Sequence, residues 1–342
     1  MRTGFAGAGF KGGTFMLHNT FCRRLAALVL TLAVAVSAVL PVFAVYPMPV
    51  QTATETEAVY LFNADTGKTI LSQNADQQKY VASLTKLMTA LLLVESGKDL
   101  NGEVTVPTDL TQEFKDIQNA NGTTMGLRIG ETVRRIDLLN AMLIVSANDA
   151  ASVIAWDVGG SVVGFVQQMN AKAAELGCTG THFVNPNGLH DPNHYSTAWD
   201  IYLITREAMK NETFMKICGT AAYVVPATNK SEERELYTTN SLISNWRIMG
   251  YQYDGADGIK TGSTEESGYC LLSTAKRSGR RLVAVVLGCK GSGATVESFS
   301  ETAKLYNWAY NNFSMRQVAA TDELYRQPVA LSKQTDTVML YP

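Results

Sequence analysis

Aspartate and glutamate are absent from the first 54 residues of this 342-residue chain, the first being Glu55. That gap contains Arg23-Arg24, then an apolar run over residues 25–39 that ends near Val42-Phe43-Ala44. A basic start, an apolar stretch and a small-residue end mark a secretory signal, so cleavage is expected near Ala44. Met16 is an alternative start that gives a shorter basic segment. The competing reading is a retained membrane anchor, because the run approaches spanning length once Pro41 and Val42 are counted. Cys22 lies before the run, not at its end, which argues against a lipid-anchored form. Removing residues 1–44 takes away four basic and no acidic groups, so 29 basic residues become 25 against 31 acidic, a net charge of −6. A chain of that sign has no electrostatic footprint for nucleic acid, and none is expected as a partner.

Cysteine and histidine are scarce. Beyond the signal only Cys178, Cys218, Cys270 and Cys289 remain, none at metal-ligand spacing. Cys270 and Cys289 are symmetric about Gly279-Arg280, which reads as a two-residue hairpin turn. In that register they face each other, and an exported chain leaves two readings open, a disulfide or two packed thiols. Of the four histidines, His18 lies in the signal, and His182, His190 and His194 lie in or beside one loop. None accompanies a G-x-S-x-G elbow, and loop packing is the favoured reading. His190-x-x-x-His194 has zinc-helix spacing, but Pro192 and the surrounding Asn and Asp make a loop there, with no Glu between. No metal and no cofactor are expected. Repeats, low-complexity segments and long linkers are also missing.

What the chain does have is one buried-helix signature with a hydroxyl and an amine at its start. Ser83 and Lys86 lie three apart, on one helical face about one turn apart. Leu84, Leu87, Met88 and Leu91 follow helical spacing, and Leu92, Leu93 and Val94 fill the other face. A helix apolar all round is buried. Its lysine is then desolvated, its pKa falls, and it can take a proton from the serine.

Around this helix the pattern predicts a hairpin over residues 58–71 and mixed, polar sequence with short strands over 101–130. Helices are expected over 136–145, from a cap at Asn148 or Asp149 to Gly159-Gly160, over 162–176 with Gly177 past the end, and over 197–209. A long turn-rich loop, Thr181 to Ser196, has the composition of a functional loop. Two strands follow at about 268–275 and 281–288. Ser298-Phe-Ser-Glu301 reads as a capping box for a helix presenting Phe299, Ala303, Tyr306, Tyr310 and Phe313. Short strands are expected at 328–332 and 337–341. The outer strands can pair only with each other, which gives an α+β fold with a central antiparallel sheet and an inserted helical subdomain.

Two more short motifs stand after Ser83-x-x-Lys86. Ser146-Ala-Asn148 falls at a helix–helix break, and Lys260-Thr261-Gly262 is placed at the head of an edge-type strand. The ordered set is the signature shared by class A β-lactamases and penicillin-binding proteins. The text around it is similar to the D-alanyl-D-alanine carboxypeptidases, the low-molecular-mass penicillin-binding proteins: Ala-Ser-Leu-Thr-Lys-Leu-Met-Thr-Ala (82–90), Ser-Ala-Asn-Asp-Ala-Ala (146–151), Thr-His-Phe-Val-Asn-Pro-Asn-Gly-Leu (181–189) and Asp-Gly-Ile-Lys-Thr-Gly (257–262). The resemblance covers roughly residues 55–313.

It implies a serine acyl-enzyme acting on peptidoglycan stem peptides that end in D-Ala-D-Ala. Ser83 would be the nucleophile and Lys86 its base. Ser146 would relay a proton to the leaving amine, and Asn148 would hold the peptide amide. Lys260 would set the positive field, Thr261 would bind the terminal carboxylate, and Gly262 would let the substrate backbone approach. The backbone N–H groups of Ser83 and Ser263 would form the oxyanion hole. The implied domains are a signal (1–44), a catalytic domain (45–313) and the start of a C-terminal β domain (314–342). A membrane anchor is not evident. The expected location is outside the cytoplasmic membrane.

Departures are visible. Val81 stands where relatives often have proline. Lys290 and Gly-Ser-Gly-Ala-Thr295 stand where they often carry an arginine for the substrate carboxylate, which leaves that role unassigned. The second motif is Ser-Ala-Asn where class A β-lactamases have Ser-Asp-Asn, and the 181–196 loop contains no Glu. β-Lactams are therefore expected to acylate Ser83 and leave slowly. Endopeptidase or β-lactamase activity and non-catalytic wall binding are the alternatives.

Overall fold

The first two strands show why the sheet must be built from both ends of the chain. β1 (Ala58–Asn63) and β2 (Lys68–Gln73) form the expected hairpin, and every residue of β1 is buried. A strand buried on both sides needs a cover on each face and another partner strand. The computed structural model describes residues 58–292 and 295–314, and the backbone of two later strands. The expected signal lies outside the described residues.

A 3-10 turn, Ala82–Thr85, leads directly into α1 (Lys86–Glu95). The helical region follows: β3 (Glu103–Thr105), α2 (Thr111–Asn119), β4 (Thr132–Arg134), α3 (Arg135–Ile144), α4 (Asn148–Gly159), α5 (Val162–Glu175), α6 (Ala198–Ala208) and α7 (Glu212–Cys218). After a small hairpin, β5 (Ala222–Val225) and β6 (Arg234–Tyr237), the chain returns to the sheet with β7 (Ala256–Thr264), β8 (Gly268–Arg277) and β9 (Arg280–Cys289). β10 (Gly291–Ser292) and β11 (Thr295–Val296) precede α8 (Glu297–Asn312). β12 (Tyr325–Pro328) and β13 (Thr337–Leu340) pair with each other.

The central sheet runs β2-β1-β9-β8-β7, antiparallel throughout, so the N-terminal hairpin does pair with the late strands. Alternation sorts the side chains. Tyr60, Phe62, Val283 and Val285 face the helical region; Val59, Leu61, Ala284 and Val286 face α8 through Leu305, Tyr306 and Ala309. α1 lies in the larger core with Leu87, Met88 and Leu91 almost fully buried. Each such side chain contributes about 1.5–3 kcal/mol by leaving water. The helix that opens beside Ser83 is thus fixed on all sides.

Several expectations are corrected. Residues 101–130 contain a helix, α2, which buries only Ile117 and so leaves almost no apolar period to read. Neither Asn148 nor Asp149 is the N-cap of α4, which is Ala147: Asn148 holds Lys86, and Asp149 accepts from Met125 N at 3.0 Å and Leu127 N at 2.9 Å as well as from Ala150 N of the helix's own first turn at 2.9 Å. The capping box before α8 does not form. The helix begins at Glu297, Ser298 is buried inside it, and Glu301 pairs with Lys304 at 2.7 Å. A described strand runs Tyr325–Pro328, and residues 329–332 of the first expected C-terminal strand lie outside the described residues. Side-chain caps do stand at Ser161, Thr197 and Asn211.

The β8–β9 turn is Ser278-Gly279, both with positive φ, not Gly279-Arg280. That shift, with a bulge near Tyr269, sets Cys289 opposite Tyr269. Adjacent residues of a strand point to opposite faces. Cys270 accordingly packs toward the helical region and Cys289 toward α8, and no disulfide joins them. Burial pushes the Cys178 thiol up to about 12 and Cys270 up to about 11. Iodoacetamide is therefore expected to label the four described cysteines only in denaturant and without any reductant. Two thiols appearing only after reduction would contradict this register.

Candidate active site

Ser83 is held where three parts of the chain meet. It sits in the 3-10 turn, just after Ala82, whose φ is 46°. Lys86, the first residue of α1, reaches back along the same face and is fully buried. Its Nζ is 2.9 Å from Ser83 Oγ and 2.6 Å from Asn148 Oδ1, and it also meets the main-chain carbonyl of Asn187. Burial, then the nearby Lys260, hold the Lys86 amine well below the usual lysine range, against the opposing pull of Asp149.

The second motif occupies the break between α3 and α4. Ser146 has φ 67°, a conformation non-glycine residues rarely adopt. It persists because the flanking backbone is tied down, Ala147 N to Ala141 O at 3.1 Å and Asn148 N to Thr123 O at 2.8 Å. The Ser146 hydroxyl makes no hydrogen bond to a described residue and lines the cleft with Ser83.

The third motif lies mid-way along β7, not at its head, and β7 is the edge of the sheet. Lys260 is buried, and its Nζ donates to Thr261 O at 3.0 Å. Burial lowers its pKa to about 7. Thr261 Oγ1 shares a 2.6 Å hydrogen bond with Thr239 Oγ1. Gly262 also has a reason within the fold. A Cβ there would stand 2.9 Å from Ser83 N and 3.0 Å from Val81 O, so glycine is what lets the strand abut the nucleophile turn.

A cleft of about 180 Å³ is lined by Ser83, Ser146, Thr239, Thr261 and Arg247. A second hollow of about 390 Å³ touches Ser83 and Ser263 from the side of Asn148, Gly188, His190 and Glu266. Ser83 and Ser263 line both spaces. The site is a serine with a buried amine, placed for acyl transfer.

A sequence model of the D-alanyl-D-alanine carboxypeptidases matches residues 47–291. The chain belongs to this family. Membership makes it a serine-type carboxypeptidase, a hydrolase, as the resemblance implied. A D-alanyl-D-alanine carboxypeptidase of Bacillus subtilis is 32% identical over 279 residues, covering 82% of this chain and 67% of that protein. One from Streptomyces strain K15 is 32% identical over 263 residues, covering 73% and 86%. The crystal structure of the Streptomyces K15 DD-transpeptidase superposes with a TM-score of 0.66 at 29% identity, over 77% of this chain and all of that one. The central antiparallel sheet and inserted helices are those of this peptidase fold.

In this carboxypeptidase chain the 181–196 loop has a part that its composition did not specify. It wraps the base of the Ser83 turn. Asn187 offers its carbonyl to Lys86, and Pro186 O accepts from Thr89 Oγ1 at 2.6 Å. Val184 N donates to His194 Nδ1 at 3.2 Å, so the ring proton sits on Nε2 and is donated to Thr85 Oγ1 at 2.7 Å. Burial holds His194 neutral, its pKa lowered to about 4. Both its ring nitrogens are therefore committed, and His190 instead lies against Tyr80 and Glu266. Asn187, Thr239 and Arg247 were not legible as site residues. The Asn185-Pro-Asn-Gly188 turn was the only signal, and it marked a loop, not a role.

Proposed function

We propose that Ser83 attacks the carbonyl of the penultimate D-Ala of a peptidoglycan stem peptide and that Lys86 is its base. One observation carries this reading. A neutral amine has two protons and one lone pair. Asn148 Oδ1 and Asn187 O are pure acceptors and take the two protons. The lone pair is left for the Ser83 hydroxyl at 2.9 Å. Lys86 takes the hydroxyl proton as Oγ bonds to the carbonyl carbon. The N–H groups of Ser83 and Ser263 would hold the oxyanion, each such donor being worth about 3 kcal/mol in the transition state. Collapse breaks the C–N bond, and the proton passes through Ser146 to the departing amine. Asn148, its Oδ1 already occupied, presents its Nδ2 to the substrate. Lys260, beside Thr261 and Gly262, supplies the positive field. Water then cleaves the acyl-enzyme.

An amine in place of that water gives transpeptidation. A β-lactam gives the same acyl bond. The loop that wraps the site brings the Asn187 carbonyl to Lys86 and has no Glu to activate a water, which favours slow release over β-lactamase turnover. Export follows the same reading, with residues 1–44 as signal and 45–313 as the catalytic domain in the cell envelope. Among the described residues no single helix is long and apolar enough to cross a membrane.

Intact mass of the secreted protein, with and without penicillin, tests these points together. The expected chain starts near Val45 and gains one persistent penicilloyl group. D-Ala is released from diacetyl-Lys-D-Ala-D-Ala. Ser83→Ala loses both the adduct and the release. Rapid nitrocefin turnover, or undiminished D-Ala release by Ser83→Ala, would sink the assignment.

A further inference from the structure

Thr85 is the N-cap residue of α1, yet its hydroxyl caps nothing in that helix. It is fully buried and accepts instead from His194 Nε2 at 2.7 Å. The bond lands on the residue immediately before Lys86, inside the turn that begins with Ser83. His194 is itself buried and firmly placed. Its Nδ1 accepts from Val184 N at 3.2 Å, and its ring stands edge-on to Phe183 with centroids 5.5 Å apart. Asn170 of α5 clamps Phe183 in turn, its Oδ1 accepting from the Phe183 N–H at 2.9 Å and its Nδ2 donating to the Phe183 carbonyl at 2.8 Å. Beyond the ring, Lys79 and Ser196 exchange main-chain hydrogen bonds at 2.8 and 3.0 Å, which tie the end of the loop to the segment leading to Ser83. A rigid path therefore runs from α5 through Phe183 and the His194 ring to the turn that carries the nucleophile and its base.

Asn148 and Asn187 hold the tip of the Lys86 side chain. The bond at Thr85 holds the backbone from which that side chain springs. We propose that His194 is a positioning residue: through Thr85 it keeps Lys86 in line with the Ser83 hydroxyl. It touches none of the reacting atoms and moves no proton. The inference rests on the Ser83–Lys86 reading above.

Asparagine and glutamine separate this role from plain loop packing. An Asn amide ends near the position of Nδ1 and keeps the bond from Val184, whereas a Gln amide reaches the position of Nε2 and keeps the bond to Thr85. On diacetyl-Lys-D-Ala-D-Ala, His194→Asn is expected to lose about 10- to 100-fold in kcat with KM held within about twofold, the scale of a misplacement near 1 Å. His194→Gln, which keeps the donor, recovers to within about threefold of wild type. The acid limb of kcat/KM, set by Lys86, is the second readout. Burial is the chief cause of the low Lys86 pKa, and a loosened turn admits water, so the limb moves to higher pH in His194→Asn and stays in place in His194→Gln. No change of charge confounds that shift. Lys260 and Asp149 face Lys86, and Asp191, His182 and His190 face His194; all are kept, and the ring is neutral above its lowered pKa of about 4. Thr85→Val removes the acceptor while keeping the shape, and it carries the test where a His194 variant does not fold. It is expected to repeat the His194→Asn result, and the double variant to lose no more than either single one. Wild-type rates in His194→Asn, equal losses in Asn and Gln with an unmoved acid limb, or additive losses in the double variant overturn the role of His194 and leave Ser83 and Lys86 in theirs. A wild-type protein that penicillin does not acylate overturns that reading and the inference with it.

Discussion

Lys86→Met is expected to slow acylation of Ser83, by stem peptide or by penicillin, about 10⁴-fold, the upper end of what a positioned base contributes. Methionine fills a lysine-shaped space without a proton acceptor. It also strands two acceptors, Asn148 Oδ1 and Asn187 O, at about 1–3 kcal/mol each. Part of that loss is returned, since a buried apolar chain needs no desolvation. The variant should therefore remain folded and inert, which a thermal melt and a penicillin-labelling time course would show together. The pH profile supplies the sign. Lys86 works as a neutral amine, so the rate rises as pH climbs through its folded pKa, which lies well below the usual lysine range. Lys260 works as a cation, so the rate falls as pH climbs through its own pKa, about 7 in the free site. The profile of kcat/KM is then a bell, both limbs set by lysines and neither by histidine. An anionic substrate raises the Lys260 pKa, which moves the falling limb of kcat to higher pH than that of kcat/KM. A falling limb at the same pH in both profiles would remove Lys260 from the substrate's field.

The architecture was legible because it rests on periods. β1 reads as a continuous apolar run because both its faces are covered, and α1 because all its sides are. The pairing of the first strands with the last followed from the other expected strands being too short to complete a sheet. What failed was local. Ser298 and Glu301 carry a capping pattern, yet Phe299 belongs in the cluster with Leu271 and Val296, and burying it draws the helix start one residue ahead of the box. Asn148 and Asp149 are good caps by type, but lysine and backbone amides claim them. In both places a tertiary contact outbid a local preference. The Cys270–Cys289 register failed by one position, since a one-residue shift of the turn and one bulge send the two thiols to opposite faces.

The candidate site divides in the same way. Side chains set in motifs could be named from spacing. Main-chain groups could not, and the carbonyl of Asn187 is one of the three groups that corner Lys86. Arg247 was invisible for a related reason. Nothing in Asn-Trp-Arg-Ile-Met-Gly distinguishes it from a surface arginine until Trp246 is seen stacked on Tyr237 and Ile248 packed into the cluster with Leu242 and Phe299.

The clearest test of how tightly the loop must sit against the nucleophile is Gly188→Ala. Gly188 has φ +84°, and a Cβ there would lie 2.0 Å from Ala82 O and 2.9 Å from Thr85 Oγ1. The first of these is backbone, so either the loop or the Ser83 turn must move. Moving the loop withdraws the Asn187 carbonyl from Lys86; moving the turn displaces Ser83 itself. A shift of about 1 Å in such groups costs on the order of 10²-fold in rate, and that loss in kcat/KM is the expected result. Gly177 is the control. Its φ is +81°, nearly the same, but nothing lies within 4 Å of its Cβ position. Gly177→Ala therefore carries only the backbone cost of a left-handed alanine, about 1–2 kcal/mol. It should lower the melting temperature and leave kcat/KM unchanged. Subtracting the two variants separates the conformational cost, common to both, from the clash with Ala82. If Gly188→Ala loses no more activity than Gly177→Ala, the loop does not hold Lys86 in register, and the corner around its amine must be set by Asn148 alone.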